Sequence, residues 1–257
     1  MKVVIVASQK GGSGKTTLAG HLAVAAEMSG AGPVVLIDAD PQGSLSDWWN
    51  ERENDTPAFA HTSAANLSRD LETLQKQGFQ YAIIDTPPAI VSAIQAIVMH
   101  SDLVVIPTRP SPHDLRAAAA TVNIVERCGK RLVFVINAAT ARARLTSEAA
   151  VALSQHGMVA PVNIHNRVDF ASSMIDGRTV MEIRPDSKSA QEVMELWEYV
   201  RTKAEYRASK TIFQGGLQSQ SSPPPRRVFG RRVGDHRLDQ PADPVVKREG
   251  GVMEQAQ

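Results

Sequence analysis

Lys10-Gly11-Gly12-Ser13-Gly14-Lys15-Thr16-Thr17 stands between an apolar run, Val3–Ala7, and a segment with Leu18, Leu22 and Ala25 spaced i, i+4, i+7. That order reads as strand, glycine-rich turn, then helix over Lys15–Ser29. The glycines let consecutive backbone N–H groups converge on phosphate oxygens, and the start of the helix adds a favourable dipole. In a loop of this kind Lys15 pairs with β- and γ-phosphates and the Thr16 hydroxyl binds Mg²⁺. Thr17 is placed to reach the α-phosphate. A bare Gly-Lys-Thr recurs by chance, but the strand before and the helix after supply the context that the chemistry requires. Ser13 reads as a loop residue and not as a nucleophile, because no His–Asp pair accompanies it.

Outward from this loop the same alternation continues. Further strands are expected at Val34–Ile37, Tyr81–Asp85, Leu103–Pro107, Leu132–Asn137 and Val159–Ile164, with helices over Asp114–Cys128 and Ser187–Arg207. Several of these strands are apolar at nearly every position, as in a parallel sheet covered on both faces. Alternating strands and helices at this spacing imply right-handed βαβ units, hence an α/β fold with a doubly wound, mostly parallel sheet and helices on both faces. The pattern stops near Ser209. Residues 209–257 are rich in Gly, Ser, Gln, Pro and Arg, a composition that buries too little apolar surface to offset its ordering entropy. A domain over residues 1–208 followed by a disordered tail is the expected organisation.

Composition removes several classes of function. The 257 residues include one cysteine, so neither a disulfide framework nor a cysteine-ligated zinc or iron–sulfur site can form within one chain. The opening MKVVIVASQK lacks the longer apolar core of a signal peptide, and no run approaches the ~18 apolar residues of a membrane span. A cytoplasmic protein is expected. Formal charge is +1 overall but uneven: net −5 over residues 1–108, +3 over 109–208 and +3 over 209–257. That distribution permits a polyanion-binding face in the second half, and equally an ordinary solvated surface. The seven histidines show no close pairing suited to a metal. Trp48 and Trp49 read as core or dimer-interface residues, and Cys128 as a small buried hydrophobe.

The loop departs from the standard phosphate-binding pattern, with Gln9 where a glycine is usual and a second lysine, Lys10, at its head. In this it resembles the ParA/MinD family of deviant Walker ATPases, P-loop NTPases whose signature is KGGxGKTT. Two further motifs carry the resemblance. Asp38-Ala39-Asp40-Pro41-Gln42-Gly43 looks like the family's switch, and Ile83-Ile84-Asp85-Thr86-Pro87-Pro88 looks like its Walker B segment. An aspartate at a strand's end also serves as an ordinary helix cap, but here three motifs occur in the family's order. The resemblance, which covers about residues 1–205, implies ATP and Mg²⁺ as cofactors. Lys10 would reach across an ATP-sandwich homodimer to the partner's phosphates, Asp40 would orient the attacking water, Asp38 would sit near the metal and Lys15, and Asp85 would hold Mg²⁺ through water. Asn137 matches the family's adenine-recognising asparagine. Ile164–Ala171 and Asp176–Val180 match its later segments loosely, and Pro161 is a candidate lining residue of the adenine pocket.

What is missing sorts the relatives. Paired cysteines, a second loop and a terminal tyrosine cluster are all lacking, which leaves a small ParA-type ATPase that partitions or positions plasmid, chromosome or other intracellular cargo. The resemblance then implies non-specific DNA binding at the nucleoid, with a stimulating adaptor of ParB type as partner. Its DNA face would be drawn from Arg142, Arg144, Arg167, Arg178, Lys188, Lys203 and Arg207. Two alternatives stand beside it. A MinD-like, membrane-associated regulator of cell division would rest on the basic, partly apolar segment Arg226–Leu238, which its glycines weaken. An ATP-dependent ligase on the same fold is disfavoured by Lys10.

Overall fold

Strand and helix alternate along the chain in the order β1 (Lys2–Val6), α1 (Lys15–Met28), β2 (Val34–Asp38), α2 (Ser44–Asn50), β3 (Ala58–His61), α3 (Leu67–Lys76), β4 (Tyr81–Asp85) and α4 (Val91–Val98). The second half continues with β5 (Leu103–Thr108), α5 (Pro112–Arg127), β6 (Leu132–Ile136), α6 (Arg144–Ser154), β7 (Met158–Val159), α7 (Val168–Ser173), α8 (Val180–Ile183) and α9 (Lys188–Glu205). This computed structural model describes residues 1–88 and 90–206, which belong to a unit spanning Met1–Ser209. The expected tail, its Arg226–Leu238 segment and Arg207 lie outside the described residues. Among the described residues, no helix is long and apolar enough to cross a membrane.

The seven strands form one parallel sheet in the order β3-β2-β4-β1-β5-β6-β7. The chain leaves β1 towards one edge, returns to place β4 beside β1, and then builds the other half. Such a reversal opens a crevice at the carboxyl ends of the central strands, where ligands of open α/β sheets bind. Register brings Val6, Asp85 and Asp38 level at that edge, since Val6 pairs with Asp85 and Asp85 with Asp38.

Alternation along each strand divides the core between the two faces. Val4 and Val6 of β1 pack with Leu18, Leu22, Leu196 and Trp197 beneath α1 and α9. Val3 and Ile5 pack on the other face with Leu71, Ile94, Val122 and Leu153 from α3 to α6. Helix α1 is apolar nearly all round because the sheet, α2 and α9 enclose it. Gly20 on α1 lets Trp48 approach, since a Cβ there would lie 3.3 Å from the indole ring. Trp48 is thus a core residue, and Trp49 stacks on Phe59 with centroids 5.1 Å apart.

Two expectations differ from the structure. The run Val159–Ile164 is not one strand: β7 stops at Val159, and the chain rejoins the sheet line at Ile164, whose N–H donates to Ile136 O (2.9 Å). Pro161 has no N–H for a ladder, and Ala160 makes the last bond before it, to Phe134 O (2.8 Å). Cys128 is half-buried at the end of α5, not fully enclosed. The edge strand β3, four residues reading Ala-Phe-Ala-His, has too short a pattern to announce itself.

Candidate nucleotide site

The phosphate loop joins β1 to α1 at the crevice. Gly12 and Gly14 adopt φ of +72° and +91°, a left-handed backbone open to glycine at little cost. Gly14 must also lack a side chain because a Cβ there would lie 2.2 Å from Asn137 Nδ2. Asn137 braces the loop: its Nδ2 donates to Ser13 O (2.7 Å), and its Oδ1 accepts from Ala138 N (2.9 Å). No side chain caps α1. The first N–H groups of that helix therefore have no side-chain partner and point to where an anion binds. Ser13 Oγ is buried with no hydrogen-bond partner among the described residues, a polar atom that calls for a ligand or solvent.

Four carboxylates, Asp38, Asp40, Asp85 and Asp114, and two lysines surround the loop. Lys15 is 7 % exposed. Burial pushes its ammonium down, and Asp85 and Asp40 push it back up. Asp85 is also enclosed, and burial lifts its carboxyl to about 7 against the Thr16 hydroxyl, which donates to Oδ2 at 2.6 Å. Lys15 opposes that rise and Asp38 adds to it, while Thr86 N donates to the other oxygen at 3.0 Å. A hydroxyl and a carboxylate side by side fit Mg²⁺, which takes oxygen donors and usually keeps waters and phosphate oxygens around one or two protein groups.

The two switch aspartates divide. Asp38 is fully buried, and its carboxylate accepts from Asp40 N (3.0 Å), Ser46 N (2.9 Å) and Ser46 Oγ (2.8 Å). It folds the turn into α2. Asp40 is half-exposed, and among the described residues its carboxylate accepts only from Gln42 N (3.0 Å). Lys10 is 38 % exposed and forms an ion pair with Asp114 at the start of α5 (2.7 Å).

Beyond Gly14 and Thr17 the crevice widens into a cleft of about 280 Å³. Its near wall is Leu18 and His21 of α1; its far wall includes Asn137, His165, Asn166, Arg167, Phe170 and Met174. Asn137, the expected adenine-side residue, lies on this wall, and so does Arg167, expected on a DNA face. Here Arg167 lines the cleft and is bound by Glu192, so pairing and position remove it from a free basic surface. Pro161 is not brought to this cleft. It lines a separate groove with Ala150, Val151 and Asn163, because the bend after β7 carries it outward. His165, Phe170 and Met174 were missed, since they meet the loop only through the fold.

His21 is wholly buried, with Nδ1 2.7 Å from Thr17 O and Nε2 accepting from Val180 N (3.2 Å). Burial lowers its pKa from 6.5 to about 4. Above pH 6.5 both folded and unfolded states are neutral, so no stability is lost. Between pH 6.5 and 4 the unfolded chain takes up a proton that the folded one refuses, and stability falls by about 3 kcal/mol in all. His21→Gln is expected to flatten that part of the curve when urea midpoints are compared from pH 4 to 7; an unchanged slope would place the acid sensitivity elsewhere.

Comparisons with known proteins agree with this geometry. The family model described as VirC1 protein matches residues 1–206. A maintenance of carboxysome distribution protein A from Gloeobacter kilaueensis is 44 % identical over 124 residues, covering 48 % of this chain and 56 % of that one. The match thus spans little more than half of that relative's length. Its counterpart from Halothiobacillus neapolitanus is 28 % identical, covering 72 % of this chain and 89 % of its own. Among solved structures, MinD of Pyrococcus horikoshii with Mg-ADP has a TM-score of 0.65 at 19 % identity, covering 79 % of this chain and 97 % of that one. An ATP complex of a Cyanothece McdA variant scores 0.61 at 19 % identity, covering 81 % and 98 %. A loop, switch and sheet of this order over the whole matched length leave one assignment: the chain belongs to the VirC1 protein family, within the ParA/MinD type of P-loop ATPases.

Proposed function

We propose that this chain is a Mg²⁺-dependent ATPase that forms an ATP-sandwich dimer, binds DNA without sequence preference, and positions an intracellular cargo. The supporting observation is the phosphate loop itself, an uncapped helix start beside buried Lys15 and the Thr16–Asp85 pair. Mg²⁺, when bound there, supplies positive charge to the β- and γ-phosphate oxygens. Thr16 and Asp85 would hold it, and Lys15 would hold the same phosphates from the loop. Asp40 is the carboxylate free to orient a water, because Asp38 is committed to Ser46 and to the backbone of Asp40. Lys10 would exchange Asp114 for the phosphates of a second copy. The names of the two relatives, which concern the distribution of carboxysomes, favour a large assembly as cargo, recruited through an adaptor of ParB type at the nucleoid.

The DNA face would be drawn from cations of the second half. Arg144 pairs with Glu148, Arg178 with Asp176, and Lys203 lies over the Tyr199 ring. Arg142 and Lys188 are exposed, with no ion-pair partner among the described residues. Exposed pairs cost little to exchange for phosphates, so Arg142, Arg144, Arg178, Lys188 and Lys203 remain the candidates in the described part.

Binding to unrelated duplexes, measured with ATP and ADP for the full chain and for residues 1–208, tests the reading. ATP-dependent, sequence-blind binding that weakens steeply with salt and survives truncation is expected, since a dimer doubles the phosphates neutralised. Nucleotide-independent binding that is lost with residues 209–257 would overturn the gated mechanism.

A further inference from the structure

The far wall of the cleft is held from behind by one carboxylate. Glu192 of α9 accepts four hydrogen bonds: Oε2 from His165 N (3.1 Å) and Arg167 Nη1 (2.6 Å), Oε1 from His165 Nδ1 (2.7 Å) and Arg167 Nη2 (2.7 Å). It is largely enclosed, at 13 % side-chain exposure. Burial would raise its pKa, but the bonds from Arg167 and His165 outweigh that and hold it below the usual glutamate range. The neighbouring backbone is fixed from the opposite side, by Ile164 N on Ile136 O and Asn166 N on Ala139 O, both 2.9 Å. Residues 164–167 are therefore clamped between the sheet and α9. Nothing in the phosphate-binding reading uses Glu192, and no motif announces it.

An ionised carboxylate only accepts, so the hydrogen facing Glu192 is carried by His165 Nδ1. In the neutral ring Nε2 is then an acceptor, on the edge turned away from Glu192. Arg167, on the same carboxylate, offers only donors. The cleft opens from Gly14 and Thr17 at the end of the loop, so a nucleotide with its phosphates on the loop would have its base here. At position 6 adenine bears an amine, which donates, and guanine a carbonyl oxygen, which accepts. An acceptor on the wall pairs with the first and opposes the second.

We propose that Glu192 is a positioning residue for the nucleobase, fixing His165 so that its Nε2 accepts from the exocyclic amine of adenine. This deepens the nucleotide reading and rests on it. Sites that hydrogen-bond a ligand group discriminate against the analogue that cannot satisfy them. The contribution acts at the base and leaves the phosphate end alone.

Equilibrium binding of ATP, GTP and ADP to the full chain in the presence of Mg²⁺ provides the test. The wild type is expected to prefer ATP to GTP. Glu192→Gln replaces one accepting oxygen with a donor aimed at donors, and should lower the ATP-to-GTP preference about tenfold, the scale of one hydrogen bond made or opposed. The ATP-to-ADP preference should not change, which separates loss of base positioning from general damage to the loop. His165→Ala leaves the Glu192–Arg167 pair in place and should give the same loss of base preference, so it carries the test if Glu192→Gln does not fold. Folded variants that keep the wild-type ATP-to-GTP preference would overturn the inference. So would a wild type that binds ATP and GTP equally, with the nucleotide reading still standing. A wild type that binds no nucleotide overturns both.

Discussion

Replacing Lys15 with glutamine is expected to weaken ATP binding at least about a hundredfold by calorimetry and to remove ATP-induced dimerisation. The ammonium is nearly buried at the loop, where burial pushes it towards the neutral form and the carboxylates of Asp85 and Asp40 push the other way. A triphosphate entering this space without Lys15 meets those carboxylates uncompensated, and in a low-dielectric crevice that repulsion is large. One charge-assisted hydrogen bond lost contributes about 1.5–3 kcal/mol, already roughly tenfold to a hundredfold, and the repulsion adds to it. The apo protein should not suffer in parallel, because removing a desolvated ammonium relieves a burial cost. A thermal midpoint near wild type, together with lost affinity, is the expected combination. Normal ATP affinity in this variant would remove Lys15 from the phosphate site.

The strand–loop–helix unit that carries Lys15 was legible from the sequence for a physical reason. Phosphate binding at a helix start needs glycines, a lysine and a hydroxyl at fixed offsets along one short segment, so the pattern is local. Asp38 and Asp85 were legible in the same way, as aspartates ending apolar strands, and parallel register then sets them side by side. The cleft's far wall was not legible. His165, Arg167 and Glu192 come together only once the segment before α7 lies against α9, and they are up to 27 positions apart. The partner of Arg167 was not legible for a related reason. Arg167 stands among the DNA-face candidates because the carboxylate that binds it sits 25 positions away on another element. The strand ending at Val159 was overextended because apolar content alone does not register the missing N–H of Pro161.

The two switch aspartates should part company under mutation. Asp40→Ala is expected to leave the fold and ATP affinity near wild type and to depress turnover at least about tenfold, since orienting a water is a role exercised in the transition state. The Asp40 carboxylate accepts a single bond, from Gln42 N, so its removal leaves the turn with its backbone supports, Asp40 N on Asp38 and Gly43 N on Asp40 O. Asp38 is different. Its carboxylate satisfies two backbone N–H groups and the Ser46 hydroxyl while wholly buried. Asp38→Ala leaves those donors without a partner, at about 1–3 kcal/mol for each buried group that water cannot reach. It should therefore lower the thermal midpoint and loosen the Asp38–Ser46 turn before any question of chemistry arises. Single-turnover hydrolysis and thermal unfolding of both variants separate the roles. If Asp40→Ala hydrolyses ATP normally while a folded Asp38→Ala does not, the water-orienting carboxylate is Asp38, and the bonds that now tie it to Ser46 must break when nucleotide binds.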